Sequence, residues 1–147
     1  MDYKDIIAGY TNKPGGLIEA FHAINREMGY VPVEAVAEAA KVFRVPASEA
    51  YGVVTFYSMF TVAPRGKNVI RICESAPCHV AGAAEVVTEL ERELSIKMGE
   101  NTSDGKFALE FTECVGQCQA TPVITINGKP FTDVSPAKIR SILAEFK

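Results

Sequence analysis

Residues 68–78, NVIRICESAPC, and residues 106–118, KFALEFTECVGQC, decide how this chain is read. Each is a short, mostly apolar run that ends in two cysteines: Cys73 and Cys78 in the first, Cys114 and Cys118 in the second. The runs read as strands, Asn68 to Ile72 and Lys106 to Glu113, the latter alternating Phe107, Leu109 and Phe111. Between them, Ala81 to Leu94 carries Ala83, Val86, Val87, Leu90 and Leu94 at helical spacing. A helix joining two strands of one sheet makes them parallel, so both cysteine loops fall at the same end of the sheet. Four thiols are then expected to converge on one point.

Downstream, Asn101 to Gly105 is a turn and Pro122 to Ile126 a third strand. Asn127-Gly128 is the dipeptide of a tight hairpin, with Lys129 to Thr132 as its short partner strand. Ser135-Pro136 is expected to cap and open a last helix reaching Phe146. Upstream of the turn at Ala63-Pro64-Arg65-Gly66 the pattern is helical. Leu17, Phe21, Ile24 and Met28 form a stripe over Pro14 to Gly29, and Val36, Ala37, Ala40 and Phe43 form another over Val33 to Arg44. Pro46 sits where a first helical turn accepts proline, and a third helix covers Ala47 to about Phe56. The expected fold class is α+β: a three-helix bundle over residues 1–62, then an α/β domain over 63–147.

Composition narrows the function. In 147 residues, 48% hydrophobic, there is room for one domain or two small ones with a real core. Lys plus Arg number 15 against 18 Asp plus Glu, a net charge of −3, so no basic field exists to collect phosphates and nucleic acid is not an expected partner. The longest uncharged apolar stretch, residues 51–63, is shorter than the ~20 residues a helix needs to cross a bilayer. The first residues, MDYKDIIAGYTNK, are acidic and polar where a signal peptide is basic and then apolar. The expectation is a cytoplasmic protein without direct membrane insertion.

A cytosolic chain has little use for two stable disulfides, so a metal or cluster is the natural partner of C-x₄-C, 35 residues, C-x₃-C. Structural zinc takes four cysteines, but its usual loops are C-x₂-C. A [2Fe–2S] cluster spreads four thiolates over two irons and suits the wider loops better. A Rieske centre would need two histidine ligands, and His22 and His79 are misplaced for that role. Four unrelated cysteines are the bland alternative. Gly116 can take positive φ and bring backbone N–H groups toward the sulfurs, and Gly82 closes the first loop. Pro77 fixes φ before Cys78, and His79 reads as an ordinary first-turn residue.

The cysteine pattern with the following Thr121-Pro122, the upstream PGGL (14–17) and YGVVTFYSMF (51–60), and the downstream Asn127-Gly128 and Ser135-Pro136 resembles one family. It is that of the thioredoxin-like [2Fe–2S] ferredoxin subunits of NADH dehydrogenases and NAD(P)-linked hydrogenases, and the likeness runs from about Lys13 to the C-terminus. The resemblance implies a thioredoxin-like second domain with a single [2Fe–2S] cluster on Cys73, Cys78, Cys114 and Cys118. It implies a helical bundle that docks on a flavin- and NAD(P)(H)-binding iron–sulfur subunit, with FMN and NAD(P) on that partner only. A further catalytic subunit of a hetero-oligomeric complex, such as an electron-bifurcating one, is implied too. The chain departs from the family pattern at Glu74-Ser75, Ala81 and Thr121. An added carboxylate and a missing cation both disfavour reduction, so a lowered midpoint potential is expected, together with a cis Thr121–Pro122 bond.

No G-x-G-x-x-G, Walker loop or Ser/His/Asp or Cys/His grouping is found, so the chain reads as a one-electron carrier with no substrate site of its own. A zinc-stapled interaction module and a free-standing, diffusible ferredoxin are the alternatives. The aromatic run over residues 55–60 reads first as packing and second as a docking face.

Overall fold

A computed structural model describes residues 2–146. The chain divides into two compact units, with the division between Arg65 and Gly66.

The first unit holds four helices, α1 (Tyr3–Ala8), α2 (Gly16–Met28), α3 (Val33–Phe43) and α4 (Ala47–Phe56). The expected three-helix bundle is therefore corrected to four. The extra helix occupies the acidic N-terminal stretch: the Asp2 side chain accepts the Lys4 N–H, and Ile6 and Ile7 are buried. Six residues are too few to show a stripe, and two adjacent isoleucines do not resemble helical periodicity. Helix α2 ends as expected at Gly29, which takes φ 82°. At its start Gly16 has no room for a side chain, since a Cβ there would lie 2.2 Å from the Tyr10 carbonyl oxygen. In α3 the buried seam is Ala35, Val36, Ala39 and Ala40, and Ala37 is exposed. Pro46 stands at the N-cap of α4 rather than within its first turn. Phe21, Ile7, Ile24, Val31 and Val54 fill the core, closed by Phe60, whose ring meets Phe21 edge-on at 6.2 Å.

The second unit is built on a four-stranded sheet of order β2-β1-β3-β4. Strand β1 (Asn68–Cys73) runs parallel to β2 (Phe107–Thr112), in register from Asn68 opposite Phe107 to Cys73 opposite Thr112. Strand β3 (Ile124–Ile126) is antiparallel to β1, and β4 (Lys129–Phe131) is antiparallel to β3. Asn127 and Gly128 both take positive φ, 52° and 82°, the geometry a two-residue hairpin needs to match strand twist. The crossover contains two helices, α5 (Ala76–Val80) and α6 (Ala83–Leu94), and α7 (Pro136–Ala144) ends the fold. Ser135 is the N-cap of α7, but its side chain makes no capping bond. Ile70, Ile72, Leu109, Ile124 and Ile126 pack under Val86 and Leu90 of α6 and Ile139 and Leu143 of α7. The other face of the β1–β2 pair is tied by half-buried Arg71 and Glu110, register partners whose Nε and Oε2 lie 3.1 Å apart.

Candidate functional site

Strand β1 ends in Cys73, which is only 2% exposed and donates its N–H to the Val123 carbonyl at 3.2 Å. One residue on, the Glu74 N–H still reaches the Thr112 carbonyl, at 3.0 Å, so the β1–β2 ladder holds the chain rigid up to the first thiol. The chain then turns into α5, with Pro77 in its first turn, and this short helix places Cys78 inward, also 2% exposed. The sequence predicts a loop at Cys78; a short helix that begins at Ala76 holds it instead. Cys73, Cys78, Ala83 and Val123 form a small buried cluster of their own.

The second pair is placed by β2. Thr112 lies opposite Cys73, and two residues later the chain reaches Cys114. Gly116 takes φ 80°, which turns its N–H toward the Cys114 Sγ at 3.4 Å. Cys118 opens a single 3₁₀ turn, and its Sγ lies 3.2 Å from that of Cys114. Both thiols of this pair are exposed. The loop after them is pinned by the Asp133 N–H to the Ala120 carbonyl, 2.8 Å, and the Val134 N–H to the Pro122 carbonyl, 3.1 Å. The Thr121–Pro122 bond is cis, as expected.

The thiols sense one another across the two pairs. Burial pushes the Cys78 thiol up, and neighbouring Cys73 and Cys118 add to the rise. The Gly116 N–H, followed by the Cys118 thiol, pulls Cys114 down. Cys118 is pushed up, first by its bond to Cys114 and then by burial and by the charges of Cys114 and Cys73. Each pair is thus within electrostatic reach of the other. Among the described residues, no three His, Cys, Asp or Glu side chains gather as a site for a single ion. The donors stand as two pairs, an arrangement that can serve two irons with two thiolates each.

Three apolar side chains near the thiols are exposed: Val80 (87%) and Val115 (37%), which the sequence assigns no role, and Phe111 (46%). Phe111 continues the alternation of Phe107 and Leu109, which predicts an inward ring. It borders instead a cleft of 330 Å³ shared with Cys73, Glu74, His79 and Val87. Glu74 is exposed at the rim of this cleft. A larger cleft of 530 Å³ lies between the end of α6 and the turn before β2, away from the cysteines that follow the strand's other end.

The model of the thioredoxin-like [2Fe–2S] ferredoxin family matches residues 3–147. This chain belongs to that family. As a thioredoxin-like [2Fe–2S] ferredoxin it carries one [2Fe–2S] cluster as its cofactor and serves in electron transfer. It is 36% identical over 147 residues to the HndA subunit of the NADP-reducing hydrogenase of Solidesulfovibrio fructosivorans, covering 98% of this chain and 86% of that one. It is 34% identical over 137 residues to a subunit of the NADH-quinone oxidoreductase of Pseudomonas aeruginosa, covering 93% and 82%. Among solved structures, an NAD⁺-reducing [NiFe]-hydrogenase in its air-oxidised state matches with a TM-score of 0.74 and 25% identity. The match covers 89% of this ferredoxin but only 22% of that hydrogenase chain, so this chain spans about one-fifth of its length.

Proposed function

We propose that this ferredoxin is the electron-transfer subunit of an NAD(P)H-linked oxidoreductase complex, with its cluster held by Cys73, Cys78, Cys114 and Cys118. The observation that carries the reading is the placement of all four cysteines at one end of the parallel β1–β2 pair, as two thiol pairs within electrostatic reach of each other. When bound, the cluster supplies one-electron redox chemistry and no hydride or proton transfer. The chain does the rest. Buried Cys73 and Cys78 keep water from one side, and the Gly116 N–H offsets negative charge on the Cys114 sulfur. Val80, Phe111 and Val115 offer a dry rim against which a redox partner can seat.

In this reading the partner is a flavoprotein that holds FMN and the NAD(P)(H) site, and a further catalytic subunit completes a hetero-oligomer. The relatives named above support it, since each is a subunit of a hydrogenase or of an NADH-quinone oxidoreductase. The hydrogenase chain supports it too: there the equivalent module is continuous with a much longer polypeptide. Residues 1–62 are the docking bundle and residues 63–147 the cluster domain of this proposal. No helix among the described residues is long and apolar enough to cross a membrane, and the proposed compartment is the cytoplasm.

The deciding experiment is anaerobic purification with iron and zinc assayed together and low-temperature EPR before and after dithionite. Two irons per chain and a rhombic signal on reduction are the expected result. Single Cys→Ser changes at the four positions should each perturb that signal or abolish it. A colourless protein with one zinc would make the chain a zinc-stapled interaction module, and a loaded chain that never co-purifies with a flavoprotein would make it a diffusible ferredoxin.

A further inference from the structure

The two cysteine pairs are not equivalent. Cys73 and Cys78 are each 2% exposed and sit in an apolar cluster with Ala83 and Val123. Cys114 and Cys118 are exposed, and their sulfurs are 3.2 Å apart. A disulfide needs an S–S distance of about 2.05 Å, so a closure of about 1.1 Å separates this pair from a covalent bond. The segment between them is short and carries Gly116 at positive φ. Attack on an external disulfide requires an accessible sulfur, and closure to an intramolecular disulfide then requires a second thiol within reach; the exposed pair has both.

From this geometry we propose that, in the cluster-free protein, Cys114 and Cys118 form a dithiol site that is oxidised by low-molecular-weight disulfides to a reversible intramolecular disulfide, while Cys73 and Cys78 stay reduced. One thiolate of the exposed pair attacks a sulfur of the external disulfide RSSR, forming a mixed disulfide and expelling RS⁻. The second thiolate attacks the protein sulfur of that mixed disulfide, closes the Cys114–Cys118 bond and expels the other RS⁻. The protein loses two electrons, RSSR gains them, and the two thiol protons end on two RSH. A chain closed in this way lacks half of its thiol donors until a dithiol reductant reopens it. Only the expected protection of the loaded protein rests on the cluster reading above; the thiol chemistry itself does not.

The test uses the full chain after anaerobic removal of metal by chelation, treated with oxidised glutathione, alkylated in denaturant and mapped by mass spectrometry. Half of the four thiols should disappear, with Cys114 and Cys118 joined and Cys73 and Cys78 alkylated. Adding dithiothreitol should restore all four. The same treatment in denaturing urea should lose this selectivity, because Cys73 and Cys78 are nearly as close in sequence as Cys114 and Cys118 once the fold is gone. Cys118→Ser should stop at a stable mixed disulfide on Cys114, and the cluster-loaded chain should resist. Oxidation that reaches Cys73 or Cys78 as readily in the folded protein, or four thiols that persist, would overturn the proposal. Neither outcome depends on whether iron or zinc is the native metal.

Discussion

At the residue scale, Glu74 is the carboxylate next to the buried thiol pair. It follows Cys73 directly, its backbone is fixed by the bond to Thr112, and its carboxylate stands in water at the rim of the cleft beside the thiols. A negative charge there opposes the added negative charge of a reduced cluster. Solvent screening limits the effect, so Glu74→Gln should raise the midpoint potential by roughly tens of millivolts. A spectroscopic redox titration of both proteins checks this, and an unchanged or lower potential in the variant would refute it. Gly116 acts in the opposite sense, through an N–H aimed at Cys114 Sγ. Its role is legible in the sequence, because a glycine inside a short cysteine loop is the residue that turns backbone toward sulfur. The exposure of Val80 is not, because nothing local says where a short helix such as α5 stops covering its own residues.

At the element scale, α6 carries the second unit's charge network. Glu91 accepts the Met98 N–H at 3.0 Å and the Lys97 ammonium at 2.9 Å, fixing the chain that leaves the helix. Glu93 holds Arg140 of α7 at 2.8 Å. Lys97 beside Glu91 and Arg140 beside Glu93 keep both carboxyls below the ordinary value of 4.5. A carboxylate with a depressed folded value contributes stability that is fully present above its unfolded value and is lost as pH falls through the folded one. The urea midpoint should therefore hold from neutral pH down to about 5 and then decline, and Glu91→Gln with Glu93→Gln should flatten the decline. A decline equally steep in the double variant would assign it to other carboxylates. Elements with a strong local signature are readable in advance: β1 and β2 from their apolar runs, the hairpin from Asn127-Gly128, and α2 from its stripe and Gly29. Where alanine dominates, as in α3, burial carries little weight per residue, and the pattern misplaces part of the seam, at Ala37. Helix α1 has no periodicity to read; its existence depends on Ile6 and Ile7 finding a core built by later residues.

At the scale of the whole molecule, the first unit has its own core but leaves an apolar surface uncovered. Phe56 is 81% exposed, and Tyr51, Tyr57 and Met59 on α4 and the turn after it are exposed as well. The run that reads as one aromatic block divides in three dimensions: Phe60 closes the core against Phe21 and His22, and Phe56 points to solvent. The turn itself is held by Arg65, whose guanidinium donates to the carbonyls of Ser58, Met59 and Phe60. Such a surface, held in place before any partner arrives, suits the docking role proposed for residues 1–62. Phe56→Ser should change stability by no more than about 0.5 kcal/mol, as for exposed positions generally. The same change should weaken co-purification with the flavoprotein subunit when both are expressed together. Retained binding would move the docking face elsewhere.

The parallel pairing of β1 with β2 also sets an order of events during synthesis. Thirty-five residues, including all of α6 and β2, separate Cys78 from Cys114, and the register that sets Cys73 opposite Thr112 cannot form until β2 exists. A chain still emerging from the ribosome presents Cys73 and Cys78 first, with only half of the proposed donors in hand. An incomplete polypeptide offers no full set of the proposed sulfurs, so in this reading an occupied site certifies that translation has passed residue 118 and that β2 has paired with β1.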